Sequence, residues 1–159
     1  MVRRQARRQT GLKPAQVSIG VAETPAEIGR CYEVMRELRT HIRTRKEFVA
    51  RVRRQRREGF RLAFLEAESE VRAVAGYRIQ EMLFSGRTLY VDDLVTRATD
   101  RSLGLGGQIF DWLVSEARRE KCVAFTLDSG VHRFDAHRFY LMKRMKIASH
   151  HFELELERP

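Results

Sequence analysis

Three glycines and an arginine lie close together in the segment RSLGLGG, at residues 101–107. A strand pattern precedes this segment, and an amphipathic helix pattern follows it. Glycines let several backbone N–H groups converge on an anion, and the first turn of the following helix adds the positive end of its dipole. The arrangement predicts a turn that binds a phosphate.

Two common phosphate loops do not fit the residues around these glycines. A P-loop requires Lys and then Ser or Thr after its last glycine, whereas Gly107 is followed by Gln108 and Ile109. A dinucleotide fingerprint requires a third glycine where the chain has Ile109, and it belongs to repeating β-α-β units. The neighbouring strands show instead the pattern of an antiparallel meander. A glycine-rich turn without a ligand stays open as the structural alternative.

A third type of phosphate loop, Arg/Gln-x-x-Gly-x-Gly/Ala, is satisfied by Arg101, Gly104 and Gly106. The segment LVT precedes it, an amphipathic helix follows it, and then come a buried strand and the segment DAHRFY. On these residues the chain resembles the GNAT superfamily of acyl-CoA-dependent N-acetyltransferases, from about Val17 to the C-terminus. The resemblance implies an enzyme that moves an acetyl group from acetyl-CoA, as co-substrate, to a primary amine by direct attack, without a metal.

The resemblance also implies the GNAT fold, an α/β (α+β) domain with a mixed, strongly bent central sheet of six to seven strands flanked by about four helices. Acetyl-CoA would lie in the V-shaped opening between the fourth and fifth strands. Periodicity gives the order βααβββαβαβ for a single domain over residues 15–159, ending in the alternating strand SHHFELELE. Residues 1–14 are basic and lack an apolar pattern, so we expect a disordered N-terminal arm.

The resemblance assigns twelve residues to the binding of acetyl-CoA. One main-chain segment would pair with the pantetheine arm as an added strand, and an amide near Val95 would stabilise the oxyanion. Backbone amides of the glycine turn would hold the pyrophosphate, with Arg101 beside them. A surface position is the alternative for His137. The assigned residues are Leu94, Val95, Thr96, Arg101, Ser102, Leu103, Gly104, Leu105, Gly106, Gly107, Arg133 and His137.

Tyr140 is the catalytic acid that the resemblance implies. Ala136 and Tyr140 match the family's A-x-x-x-Y element, in which the tyrosine often gives a proton to the departing CoA thiolate. Aromatic packing within a helix is the alternative role for Tyr140. The chain departs from the family where Arg133 replaces a common Asn, and where Arg144 and Met145 replace the usual Gly-Phe pair.

Three carboxylates are candidates for the base that takes the proton of the amine. Asp92 and Asp93 are adjacent on the fourth strand, so we expect them to point to opposite faces of the sheet, with one facing the acceptor. Glu81 on the neighbouring strand is the third candidate. A buried carboxylate would have a raised pKa, as a base that works near neutrality needs. A structural role for both aspartates is the alternative. The chain's histidines show no metal or triad spacing.

The net charge of +10 is unevenly distributed. Residues 1–13 contribute +5, and residues 39–61 contribute +8. The second block lies where the family shapes its acceptor side, which favours an anionic small molecule or an acidic protein surface. Polycationic aminoglycosides fit this charge worst. The alternative is that the same charge belongs to a solvated helix face and a disordered arm that bind no anion.

Two other function classes stay open. One is a basic nucleic-acid-binding module. We expect nucleic acid not to be a partner, because the chain lacks a helix-turn-helix pair and its aromatic residues are not interleaved with the basic runs. The other is a non-catalytic acyl-CoA sensor on the same fold.

Composition limits the location and the partners. No apolar run approaches the roughly 20 residues that span a bilayer, so we expect no membrane partner. Cys31 and Cys122 have no metal spacing and fit core thiols of a reducing compartment, which predicts a cytoplasmic protein. An organelle transit peptide is the alternative for the acid-free N-terminus. Since dimers are common in the family, a homodimer is expected.

Overall fold

The computed structural model describes residues 17–156. One sheet has the strand order β1-β2-β3-β4-β5, with antiparallel neighbours except for the parallel pair of β4 and β5. The strands are β1 (Val17–Val21), β2 (Phe60–Ala67), β3 (Glu70–Met82), β4 (Gly86–Thr96) and β5 (Ala124–Leu127). The helices are α1 (Pro25–Arg30), α2 (Tyr32–Met35), α3 (Arg45–Arg56), α4 (Leu105–Arg119) and α5 (Phe134–Met142). The N-terminal arm predicted at residues 1–14 lies outside the described residues.

A threonine is the N-cap residue of two helices, α1 and α3. Thr24 Oγ1 accepts a hydrogen bond from the Glu27 N–H at 3.2 Å, and the Glu27 carboxylate accepts one from the Thr24 N–H at 2.8 Å. This reciprocal box, with Pro25 in the first turn, defines where α1 begins. Thr44 Oγ1 accepts from the Glu47 N–H at 3.1 Å and so caps α3. Each of these two helices therefore begins at a signal that is visible in the sequence, a threonine followed three residues later by a glutamate.

Two apolar clusters, one on each face of the sheet, hold the layers together. Side chains of α1, α2 and α3 pack on one face around Phe60, Leu62 and Val74. The apolar side of α4 packs on the other face against Leu89 and Val91. Burying such a side chain contributes roughly 1.5–3 kcal/mol to the free energy of folding. The sheet is therefore the middle layer that positions the residues of β4. No helix within residues 17–156 combines the length and apolar character that crossing a membrane requires.

β4 and β5 are paired for only part of their length. Their register runs from Thr88 with Ala124 to Val91 with Leu127. β4 continues to Thr96 and stays paired with β3 on its other side. Within the part of the chain that the structure describes, no strand pairs with the outer edge of this last segment. The fourth and fifth strands therefore separate, as the V-shaped opening predicted from the sequence requires.

A β-bulge interrupts the ladder between β3 and β4 at Asp92. Gly76 pairs with Asp93, and Tyr77 pairs with Val91, so Asp92 has no partner on β3. A bulge of this kind re-aims a side chain and bends the strand that carries it. The bulge lies at the point where β4 leaves β5, so the bend coincides with the start of the opening.

Gly76→Ala is expected to destabilise the fold by about 1–3 kcal/mol through overpacking at the bulge. A Cβ at Gly76 would lie 2.5 Å from the Phe60 ring and 2.9 Å from Asp93 Oδ2. Phe60 is buried, and the Arg78 guanidinium lies 5.5 Å from its ring centroid, so the ring cannot move alone. Urea denaturation measures the loss. Gly20→Ala on β1 is the control, because its Cβ would make only ordinary contacts at 3.8 Å. Equal losses for the two variants would contradict the overpacking.

The predicted final strand is wrong. Residues 145–156 form neither helix nor strand, and Phe152, Leu154 and Leu156 are exposed. Alternating apolar residues show that a segment could bury one of its two faces as a strand. They do not show which other strand, if any, it pairs with. The sheet therefore has five strands in the described residues, not six to seven. The preceding order of elements agrees with the prediction, except that the first predicted helix is divided at Cys31 into α1 and α2.

Candidate active site

The loop between β4 and α4 has the backbone shape of an anion-binding turn. Ser102 and Gly104 are both left-handed, with φ of 67° and 80°. Gly104 directly precedes α4, and a Cβ there would meet nothing within 4 Å. Among residues 17–156, no protein acceptor bonds the N–H groups of Leu105, Gly106 and Gly107. The start of α4 therefore presents three N–H donors together with the positive end of its dipole.

A buried carboxylate anchors the start of this loop. Asp100 is 6% exposed and accepts hydrogen bonds from Arg97 Nε at 2.6 Å and Arg72 Nη1 at 3.2 Å. Two guanidinium groups offset the cost of burying the charge. Glu37 accepts a bond from the Ala98 N–H at 2.8 Å, which ties the loop to the segment after α2. Sequence analysis missed this anchor, for which the Arg-x-x-Asp spacing of residues 97–100 was the available signal.

Arg101 and Leu103 project from the loop toward solvent. Arg101 Nη2 lies 3.8 Å from Glu37 Oε2, and the arginine side chain is 65% exposed. An exposed ion pair at this distance holds its partners weakly. An anion on the N–H donors of the loop would therefore compete successfully with Glu37 for Arg101.

The outer edge of β4 presents two main-chain amides to the opening. The Arg97 N–H donates to the Arg72 carbonyl at 2.8 Å, so by alternation Val95 also directs its N–H toward β3. The N–H groups of Leu94 and Thr96 then point away from β3, into the opening. If an amide near Val95 stabilises the oxyanion, as the sequence predicts, it is the amide of Leu94 or Thr96, because that of Val95 points to β3.

The first turn of α4 is closely packed. A Cβ at Gly106 would lie 3.0 Å from Thr96 Oγ1, and a Cβ at Gly107 would lie 3.5 Å from Lys143 Nζ. Lys143 Nζ also bonds the Asp111 carboxylate at 2.7 Å. Its ammonium group brings a positive charge to the glycine loop. Sequence analysis did not assign Lys143 to the site, because the contact joins α5 to α4 and leaves no local pattern.

Three predicted residues lie at α5. His137 and Tyr140 are in the helix, and Arg133 is its N-cap residue. Tyr140 is half-buried and lies three residues before Lys143, so the two side chains are neighbours at the end of α5. Burial raises the pKa of Tyr140 against the opposing effect of Arg133, so the phenol keeps its proton at neutral pH. His137 Nε2 lies 3.0 Å from the Gly130 carbonyl and ties α5 to the preceding loop.

A cavity of about 390 Å³ lies between α3 and the face of the sheet that α3 covers, beside the bulge of β4. Asp92 and Asp93 both line this cavity, so the prediction that they point to opposite faces is wrong. The physical reason is the bulge, which turns Asp92 to the side that Asp93 already occupies. The lining residues are Met35, Arg39, His41, Ile42, Phe48, Arg51, Val52, Gln55, Phe60, Arg78, Tyr90, Asp92 and Asp93.

Each aspartate is paired with its own arginine. Arg78 Nε donates to both carboxylate oxygens of Asp92, at 3.2 and 3.1 Å, and Arg39 Nε donates to Asp93 Oδ1 at 2.5 Å. Burial raises the pKa of Asp92, although Arg78 opposes the shift. The side chain of Asp93 is 12% exposed and packs against Gly76, whereas that of Asp92 is 25% exposed. Asp92 is therefore better placed to exchange a proton with a molecule in the cavity.

Glu81 does not join the other two carboxylates. In the register of β3 and β4, Glu81 lies opposite Arg87 near the end of β3, whereas Gly76 lies opposite Asp93. Five residues of extended strand separate Glu81 from Gly76, which is roughly 17 Å. Glu81 is exposed and does not line the cavity.

Tyr90 connects the cavity to the end of β5. Its hydroxyl donates to Asp128 Oδ2 at 2.8 Å, and His151 Nδ1 lies 3.1 Å from the same oxygen. Burial and the hydrogen bond to Asp128 raise the pKa of Tyr90 to about 12. These three residues are distant in sequence, so their meeting could not be read from spacing.

Known proteins share this architecture. Residues 28–145 match the acetyltransferase (GNAT) family. The chain is 32% identical over 117 residues, 74% of its own length and 82% of the relative's, to the uncharacterized N-acetyltransferase YhdJ of Bacillus subtilis (strain 168). It is similar to glucosamine-6-phosphate N-acetyltransferase from Arabidopsis thaliana, with a TM-score of 0.71, 21% identity, and coverage of 89% of this chain and 99% of that one. The aminoglycoside N-acetyltransferase AAC(6')-Iy in complex with CoA gives a TM-score of 0.79 at 7% identity, covering 92% of this chain and 98% of that one.

The family match includes the bulged strand, the glycine loop, α4, β5 and α5, which are the elements that build the candidate site. Identities this low to the solved structures show a common fold. The family match and the 32% identical relative show the family as well as the fold. From these two findings, the chain is an acyltransferase enzyme and belongs to the GNAT acetyltransferase family.

Proposed function

We propose that this enzyme transfers the acetyl group of acetyl-CoA to a primary amine by direct attack. One observation carries the proposal: the open edge of β4 leads to the N–H donors at the start of α4. An open strand edge fits the amide-bearing pantetheine arm, and the N–H donors with their helix dipole fit a diphosphate. Two cations lie near that loop, although each pairs with a carboxylate: Arg101 with Glu37, and Lys143 with Asp111.

The chemistry assigns a distinct task to each part of the site. The amine nitrogen forms a bond to the acetyl carbonyl carbon as the carbon–sulfur bond breaks, with one proton leaving the nitrogen and one reaching the sulfur. An amide of Leu94 or Thr96 stabilises the negative charge on the carbonyl oxygen. Asp92 accepts the proton of the amine, directly or through water, and Tyr140 donates a proton to the thiolate.

The acceptor is an amine that also carries an anionic group. Arg39 and Arg78 pair with the two aspartates of the cavity, but Arg51 does not. Arg51 instead pairs with Glu47 at 2.8 Å, outside the cavity lining. The cavity lining therefore holds three arginines against two carboxylates, a small positive excess, partly offset by Glu47, that favours an anionic acceptor over a polycationic one.

Calorimetric titration with acetyl-CoA, followed by a screen of amines for thiol release, tests the proposal. We expect binding of acetyl-CoA and faster thiol release with amines that carry a carboxylate or phosphate than with polycationic amines. Binding without transfer to any amine would identify a sensor instead. Absence of binding would overturn the proposed function.

Tyr140→Phe is expected to lower kcat about 10- to 100-fold without changing the affinity for acetyl-CoA. The effect falls at the low end of acid–base catalysis because a thiolate is a comparatively good leaving group that needs less protonation than an alkoxide. Stopped assays of thiol release give kcat, and calorimetry gives the affinity. Tyr32→Phe is the control, since this buried tyrosine bonds the Ile42 carbonyl and does not line the cavity. An unchanged kcat in Tyr140→Phe would reduce Tyr140 to a packing residue.

A further inference from the structure

Four basic side chains lie along the exposed face of α3, with Ala50 between the first and the other three, and we call Lys46, Arg53, Arg54 and Arg57 the basic stripe. All four are exposed. A helix turns by about 100° per residue, which places these positions within an arc of about 100°. The backbone stays helical at Arg57, with φ of −66° and ψ of −19°, so the stripe reaches the end of α3. At about 1.5 Å per residue it is roughly 16 Å long.

The charges of the basic stripe are not compensated. Three other arginines of α3 have acidic partners: Arg45 pairs with Glu33, Arg51 with Glu47 and Arg56 with Glu23. Among residues 17–156, no carboxylate lies within 4.0 Å of the charged groups of the stripe. Like charges at i, i+4, as at Arg53 and Arg57, disfavour a helix. Basic residues in the last turn do interact favourably with the helix dipole, but this effect does not explain the presence of Lys46 in the first turn.

The basic stripe faces away from the cavity. The α3 residues that line the cavity centre about 160° around the helix axis from the centre of the stripe, and they are Phe48, Arg51, Val52 and Gln55. A molecule that docks on the stripe would therefore leave the acceptor cavity and the glycine loop open. The stripe is thus a surface separate from the site of acetyl transfer.

The surroundings of the stripe indicate the kind of partner. Protein interfaces are centred on exposed aromatic or large apolar anchors. The exposed large apolar residues of the described chain all lie elsewhere, and none falls between residues 39 and 61. A phosphate backbone needs only charge, and arginine binds phosphate with two parallel hydrogen bonds. The absence of exposed aromatics for base stacking on this face favours a duplex over a single strand.

We propose that the basic stripe docks the enzyme on the phosphate backbone of double-stranded nucleic acid, without reading its sequence. The sequence-based expectation that nucleic acid is not a partner used the lack of a helix-turn-helix pair and of interleaved aromatics. Those features serve base reading and stacking. Backbone contacts from exposed arginines need neither of them.

The test measures anisotropy of fluorescein-labelled duplexes of about 20 base pairs, in DNA and RNA form, titrated with the full chain over a range of salt concentrations. The triple variant R53Q/R54Q/R57Q is compared with R118Q/K121Q/K146Q, which removes the same charge from exposed residues outside α3. The stripe variant is expected to bind at least about tenfold more weakly at about 50 mM salt, and its log–log salt slope should fall by about 2–3. The control variant should bind like the unaltered chain.

Several outcomes would overturn the proposal. Equal losses in the two triple variants would show that only total charge matters. Polyglutamate that competes as well as duplex would indicate an acidic protein partner, and tighter binding of single-stranded oligothymidine would exclude duplex docking. Thermal denaturation checks the fold of the stripe variant, whose Tm should fall by no more than a few degrees, because the lost interactions with the helix dipole are partly offset by relief of the repulsion between like charges.

Discussion

Replacement of Gly106 by tryptophan is expected to weaken binding of acetyl-CoA by at least about 100-fold, which corresponds to about 2.7 kcal/mol of binding free energy. Calorimetric titration of the variant, next to the unaltered chain, measures the loss. The enzyme should keep its fold, because tryptophan is a better helix former than glycine and Gly106 lies in the first turn of α4.

The expected loss follows from the position of Gly106. Its N–H is one of three donors at the start of α4 that no protein acceptor in residues 17–156 occupies. The space beside its Cα ends at Thr96 Oγ1, only 3.0 Å from an added Cβ. An indole must therefore turn outward over the loop, where it covers the donors and the nearby end of β4. Gly106→Ala, which adds only the crowded Cβ, should give an intermediate loss.

Ser115→Trp provides the control on the same helix. Ser115 is exposed, and nine residues of helix place it on the opposite side of α4 from Gly106. Its replacement should leave binding of acetyl-CoA unchanged. If Gly106→Trp binds acetyl-CoA like the Ser115 variant, the start of α4 does not hold the diphosphate, and the proposed function loses its main support.

The parts of the fold that sequence predicted well are those with local signals. The capping threonines mark the starts of α1 and α3 because their hydrogen bonds run to residues three positions away. The glycine loop was predicted because positive φ and close approach of backbone demand that residue type at Gly104 and Gly106. The antiparallel meander of β2, β3 and β4 follows from alternation joined by short turns.

The parts that sequence did not predict depend on pairing between distant residues. The bulge at Asp92 exists because β3 places Gly76 opposite Asp93, and no local pattern reports that register. Two-residue periodicity alone therefore assigned the aspartates to opposite faces. The final segment has the alternation of a strand, yet no strand among the described residues pairs with it. Strand pairing is a property of two segments, whereas alternation is a property of one.

The correction at the bulge changes which carboxylate should act as the base. Both aspartates line the same cavity, so the face of the sheet does not distinguish them. Their exposure and their contacts do. Asp93 is held by Arg39 and packed on Gly76, which suits a structural role. Asp92 is more exposed, and burial still raises its pKa above the ordinary value. A raised pKa makes a carboxylate a stronger base toward the departing proton of an amine.

Asp92→Asn is expected to lower kcat by about 10²–10⁴-fold while acetyl-CoA binding stays unchanged. A base acts when deprotonated, so the rate of the unaltered enzyme should fall as pH falls through the pKa of Asp92. Because that pKa is raised, this acid limb lies at higher pH than an exposed aspartate would give. The variant should lose the limb and keep only the pH dependence that comes from deprotonation of the amine itself. Rate–pH profiles at saturating acetyl-CoA measure both changes.

Asp93→Asn separates this assignment from a general loss of charge in the cavity. It removes the same charge from the adjacent residue and replaces the ion pair with Arg39 by a weaker hydrogen bond to an amide oxygen, so it should reduce stability more than kcat. The acid limb should persist in this variant, because Asp92 is still present. If Asp93→Asn instead removes the limb while the folded fraction is unchanged, Asp93 is the base, and the pairing with Arg39 must open during turnover. Retention of the limb in both variants would move the base outside the bulge and leave water as the direct proton acceptor.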